Sequence, residues 1–113
     1  MKNKLLLAVG SIALLTACDA SKENEMEWFD HAVKTAGHQL LYMAEQLKNE
    51  PDTACFPRSI KEGKYRLEHP TDWTSGFYPG SMWLAYELTG DEALAKEARK
   101  YTDRLQDMQY YTG

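Results

Sequence analysis

Three kinds of side chain in this 113-residue chain can do chemistry by type: imidazoles, thiols and carboxylates. His31 and His38 stand seven apart, so both fall on one stripe of a helix. Two imidazoles on one face are a start towards a metal site, but a third ligand is needed and none is evident. They read as solvated or core-edge histidines, and no metal is expected. Cys55 lies in Thr53-Ala54-Cys55-Phe56-Pro57 with no histidine in a recognisable pairing. It reads as a small buried hydrophobe rather than a nucleophile. Asp91 stands where a helix cap is needed, and Asp103 and Asp107 fall on a charged helical face. Asp72 opens a turn-rich stretch and is open to two readings, a turn carboxylate or a substrate contact. Aromatics make up 12% of the chain, with three Trp and seven Tyr. That excess fits either a heavily packed core or a surface on which sugar rings stack. The net charge is −4 and no basic stripe runs along the chain, so nucleic acid is not an expected partner.

The elements that must position these groups begin after a leader. Lys2 and Lys4 precede an apolar run from Leu5 to Leu15, too short for a permanent bilayer span of ~20 residues. The run ends in Leu15-Thr16-Ala17-Cys18, which resembles the lipobox of bacterial lipoproteins. Cleavage before Cys18 and lipidation of its thiol and freed amine are expected. Several acyl chains anchor stably where one binds only marginally. Residues 1–17 are then signal peptide, and loss of the two lysines takes the net charge to −6. Residues 18–27, with Asp19, Glu23, Glu25 and Glu27, read as a polar tether. The expected place is the bacterial cell envelope, at the outer membrane, on its periplasmic side or at the cell surface. With Cys18 acylated, Cys55 has no disulfide partner.

Asn24 and Glu27 have the spacing of a capping box. Phe29, Ala32, Val33, Ala36, Leu40, Met43, Ala44 and Leu47 then recur at steps of mostly three and four, which predicts a long amphipathic helix ended before Pro51. Thr53 to Asp72 contains Pro57, Gly63 and Pro70 and reads as an irregular connection, with Lys64-Tyr65-Arg66-Leu67 as a short strand or extended loop. Thr74 and Ser75 suit the cap of a second helix running to Leu88, apolar on nearly every side and so expected to be buried. Gly90 suits its left-handed stop. A third helix follows Asp91, with Leu94, Ala98, Tyr101, Leu105 and Met108 on one stripe and Glu92–Lys96 as an i,i+4 pair. A buried helix with only two neighbours is not covered on all sides. The chain is therefore expected to be the amino-terminal part of a larger protein; the alternative is a small three-helix domain that pairs with a partner.

Three stretches together resemble the start of glycoside hydrolase family 88, the unsaturated glucuronyl hydrolases. They are Phe56-Pro57-Arg58-Ser59, the run from Asp72-Trp73-Thr74-Ser75-Gly76-Phe77 through Tyr78-Pro79-Gly80-Ser81-Met82-Trp83, and Tyr86-Glu87-Leu88-Thr89-Gly90-Asp91. The resemblance covers residues 28–113 and implies an all-α (α/α)6 barrel with only its first three or so helices in this chain. The first and third helices would be outer and the second inner. It implies removal of unsaturated uronic acid from lyase-generated glycosaminoglycan-type oligosaccharides. In that chemistry a carboxyl protonates the C4–C5 double bond, water adds at C5, and the hemiketal collapses. No cofactor and no covalent glycosyl-enzyme are implied, unlike ordinary paired-carboxylate glycosidases.

The family's proton-transferring aspartates are expected beyond Gly113, so no catalytic residue is assigned and the chain by itself is expected to be inactive. Trp73 matches the aromatic that lines the family's sugar cleft; packing in the barrel interior is the alternative. Phe77, Trp83 and Trp28 read as core. Arg58 would either pair with an acidic substrate or tie a loop to a helix end. The implied partners are an unsaturated uronic-acid oligosaccharide and, through the lipid on Cys18, a membrane. Two other functions fit less of the sequence: an unsaturated rhamnogalacturonyl hydrolase of the same fold, and a small envelope lipoprotein that binds sugar or a partner without catalysis. A reading frame continuing past Gly113 into a His-Asp motif would separate the enzymes from the binding module.

Overall fold

The computed structural model describes residues 2–112, with side chains described from Glu25 to Thr112. The candidate signal peptide, Cys18 and the first part of the tether lie outside the described side chains. Two compact units divide the chain, Met1–Ala32 and Val33–Gly113.

Helix α1 (Lys2–Leu47) starts in the first unit. It does not begin at Asn24, because the Leu- and Ala-rich run before that residue has high helix propensity and no proline to stop it. Within this unit Trp28 is 71% exposed and Met26 and Phe29 are exposed too, so Trp28 is not core. Among the described residues, no helix is long and apolar enough to cross a membrane.

In the second unit only the later part of the expected α1 stripe is covered, and Ala36 is exposed. Ala44 and Leu47 are buried and Leu40 and Met43 pack against the core. Gly37 lets Leu94 come close, since a Cβ there would lie 3.2 Å from Leu94 Cδ1. The helix ends at Leu47, where the Glu50 N–H donates to the Leu47 carbonyl at 3.0 Å, just ahead of Pro51.

The connection expected to be irregular is a hairpin. Strand β1 (Phe56–Lys61) pairs antiparallel with β2 (Lys64–Glu68). Glu62 and Gly63 join them with φ of 51° and 75°, the pair of left-handed residues that matches strand twist in a two-residue turn. The register runs Phe56–Glu68, Pro57–Leu67, then Ser59–Arg66 to Lys61–Lys64. The shift between Pro57 and Ser59 leaves Arg58 as the extra residue of a bulge.

Helix α2 (Phe77–Thr89) packs on α3 (Glu92–Asp103), and a 3-10 turn (Gln106–Tyr110) follows. The joint between them is read directly from the sequence. Gly90 takes φ 70° and its N–H donates to the Tyr86 carbonyl at 2.7 Å. Asp91 accepts from the Ala93 N–H at 2.9 Å. The core gathers Ala44, Cys55, Phe56, Tyr78, Met82, Ala98 and Tyr101. Tyr101 meets Phe56 and Tyr78 edge-on, with ring centroids 5.8 and 4.8 Å away. Burial pushes the Tyr78 phenol far above its usual range, and its hydroxyl donates to the Leu40 carbonyl at 3.3 Å.

Two expectations about α2 and α3 change. Helix α2 is not buried all round: Tyr78, Pro79, Met82 and Ala85 face inward, whereas Phe77, Leu84 and Leu88 are exposed. One side alone meets the neighbours this chain supplies. Trp83 is half-buried, donating from Nε1 to Thr102 Oγ1 at 3.0 Å with Arg99 over its ring. Glu92 accepts from the Tyr86 hydroxyl at 3.1 Å, and the ion pair on α3 is Lys100–Glu97 at 2.7 Å.

Candidate functional site

The segment leading into α2 is built from successive tight turns. The Asp72 N–H donates to the His69 carbonyl at 2.9 Å, Ser75 N–H to Asp72 at 3.0 Å, and Phe77 N–H to Thr74 at 3.0 Å. Ser75, only 2% exposed, donates from its hydroxyl to the His69 carbonyl at 2.9 Å. The side chains of Thr74 and Ser75 therefore stabilise the turns rather than capping the helix, whose N-cap Gly76 has no side-chain bond. Asp72 organises the segment. Its Oδ1 accepts from the Thr74 backbone N–H at 2.9 Å and from the Thr74 hydroxyl.

These turns carry Trp73 at their crown, 75% exposed. Its ring meets Phe77 edge-on at 5.8 Å and an interplanar angle of 84°. Phe77, expected in the core, is 64% exposed and belongs to this surface pair. Phe77 also borders an open cleft of about 230 Å³ whose other walls include Arg58, Ile60, Tyr65 and Tyr78. An indole face with little of its area covered suits the apolar C–H face of a pyranose, and its N–H remains a donor.

Arg58 is engaged with two carboxylates of the chain itself. Its Nη1 lies 3.3 Å from Asp72 Oδ2 and 3.6 Å from Glu68 Oε1, and Glu68 is shared with Arg66 at 2.8 Å. Of its two expected roles it takes the tying one, hairpin to helix entrance. The Thr74 hydroxyl and N–H, then Arg58 and Arg66, hold the Asp72 carboxyl below the usual carboxylate range. Its two oxygens are taken up by the Thr74 N–H and hydroxyl and by Arg58, which is the turn-carboxylate role of the two expected. Asp91 is engaged as a cap, and Asp103 and Asp107 are exposed.

The remaining candidates stand apart from this surface. Cys55 is fully buried, its thiol pushed up by burial and donating to the Asp52 carbonyl at 3.6 Å. His31 and His38 are each exposed. Among the described residues, no group of three or more His, Cys, Asp or Glu is placed to hold a metal ion. Sequence reasoning missed the bulge that redirects Arg58. Glu62-Gly63 ahead of the alternating Lys64-Tyr65-Arg66-Leu67 was an available signal for the turn, and the bulge itself had none.

No family model matches the chain. Among curated proteins, the unsaturated glucuronyl hydrolase of Formosa agariphila is 33% identical over 108 residues, covering 91% of this chain and 26% of that protein. The unsaturated glucuronyl hydrolase of Bacillus sp. strain GL1 is 37% identical over 83 residues, covering 66% of this chain and 22% of its own length. A crystal structure of an unsaturated glucuronyl hydrolase specific for heparin superposes with a TM-score of 0.61 at 37% identity, over 75% of this chain and 22% of that one. The chain belongs to the unsaturated glucuronyl hydrolase family. It spans about a quarter of the length of the relatives it matches. The fold of these hydrolases is the α/α barrel, and the helices described above correspond to part of it.

Proposed function

We propose that the protein is a hydrolase that removes a terminal unsaturated uronic acid from lyase-generated glycosaminoglycan-type oligosaccharides. The observation that carries this reading is Trp73, an exposed indole on a rigid turn within a family of unsaturated glucuronyl hydrolases. In this reading the indole stacks on the sugar and orients its C4–C5 double bond. A proton then goes to C4, water adds at C5 and loses its proton, and the hemiketal opens with release of the next sugar's hydroxyl. No carboxylate among the described residues is assigned the protonation. The contribution of this chain is the sugar platform and a portion of barrel wall.

The gene product should destroy the ultraviolet absorbance of an unsaturated chondroitin disaccharide, and residues 19–113 alone should not. Failure of the gene product to turn over any unsaturated uronyl disaccharide would overturn the assignment, and turnover by the short piece would overturn the division of labour.

The same protein is proposed to be an envelope lipoprotein, supported by Leu15-Thr16-Ala17-Cys18 after a short apolar run with lysines before it. Residues 1–17 would be removed and residues 18–27 would act as the tether. Labelled palmitate should enter the protein and be lost in Cys18→Ser; unchanged labelling of that variant would refute the anchor.

A further inference from the structure

The bulge in β1 does something that a regular strand would not. In a continuous ladder, position 58 would face a partner on β2; here it is the unpaired extra residue, free to aim elsewhere. Arg58 uses that freedom to reach Asp72, fourteen residues along the chain, while keeping Glu68 within 3.6 Å. The charges then alternate Arg66, Glu68, Arg58, Asp72. The two guanidinium groups and two carboxylates balance in formal charge, and Glu68 Oε1, buried between Arg66 and Arg58, is held by ion pairing without a hydrogen bond. Asp72 in turn holds Thr74 by two hydrogen bonds, with Trp73 between them.

We infer that Arg58 is a positioning residue for the sugar platform, clamping the Asp72 turn to the hairpin so that Trp73 presents its indole in one direction. This inference rests on the proposal that Trp73 stacks on substrate. Its physical content is preorganisation: a ring already held in place loses less freedom when a sugar binds. The hairpin thereby acts on recognition.

The test is fluorine NMR of the full protein labelled with 5-fluorotryptophan, the Trp73 and Trp83 resonances being assigned through Trp73→Phe and Trp83→Phe. Arg58→Gln should shift or broaden the Trp73 resonance and leave that of Trp83 in place. Asp72→Asn should move it similarly, the double variant should move it no further, and Arg58→Lys should lie between. Binding of an unsaturated chondroitin disaccharide should weaken about threefold to tenfold in Arg58→Gln, the scale of one side chain losing its order. An unmoved Trp73 resonance, additive shifts, or equal movement of Trp83 would overturn the inference. If the Trp73 resonance moves as expected but Trp73→Ala binds the disaccharide normally, the clamp stands and the stacking proposal fails.

Discussion

Replacing Trp73 by Ala separates a sugar-binding role from a structural one. Trp73 is 75% exposed, so about a quarter of a side chain that can bury roughly 200 Å² is covered. At about 25 cal/mol per Å² that is roughly 1.3 kcal/mol, and the edge-on pair with Phe77 adds about 0.5–1.5 kcal/mol. A sugar ring covering one indole face would remove roughly a further 60 Å² from water, worth about 1.5 kcal/mol, or about tenfold in Kd. Trp73→Ala is therefore expected to weaken binding of an unsaturated chondroitin disaccharide about tenfold in isothermal titration while lowering stability by less than about 3 kcal/mol. Phe56→Ala is the comparison. Phe56 is fully buried against Tyr101, and truncation of such a ring costs about 3–5 kcal/mol. Urea unfolding of both variants supplies the second axis. Wild-type affinity in Trp73→Ala, or a stability loss matching that of Phe56→Ala, would refute the argument that the exposed indole is there for a ligand.

Three other outcomes follow from the geometry. Gly90→Ala should destabilise by about 1 kcal/mol, read from urea unfolding, because the left-handed φ of 70° penalises a Cβ although nothing lies near it. Asp72 is held below its ordinary pKa, so its contribution is present above the unfolded carboxylate pKa and is lost as pH falls through the lower folded value. Acid titration of the Trp73 fluorine resonance should show that step against the flanking Arg58, Arg66 and Glu68, and Asp72→Asn should abolish it. Cys55, buried with its thiol pushed up, should react with a thiol reagent slowly in native buffer and rapidly in denaturant; fast native labelling would contradict its burial.

Local rules acted where the sequence was most legible. The Gly90 stop, the Asp91 cap and the α3 stripe through Leu94, Ala98 and Tyr101 depend on neighbours within one helical turn, so their residues alone determine them; α3 ends at Asp103, so Leu105 and Met108, expected on the same stripe, fall outside it. The burial of Cys55 and the family resemblance around Trp73 were legible as well. The cap expected at Asn24 was not used, since a continuing helix competes with any local start signal.

What the tertiary structure decided were matters of direction and coverage. Period and composition marked α2 as apolar all round, yet which side is covered depends on what packs there, so Phe77 joins Trp73 at the surface while Tyr78 turns inward. Trp28 likewise carries no sign in its own residue type that it is exposed. Most of all, the Arg58–Asp72 pair joins residues fourteen apart through a hairpin whose register shifts by one residue. A side-chain direction set by such a bulge is a property of strand pairing, and pairing is settled only when the two strands meet.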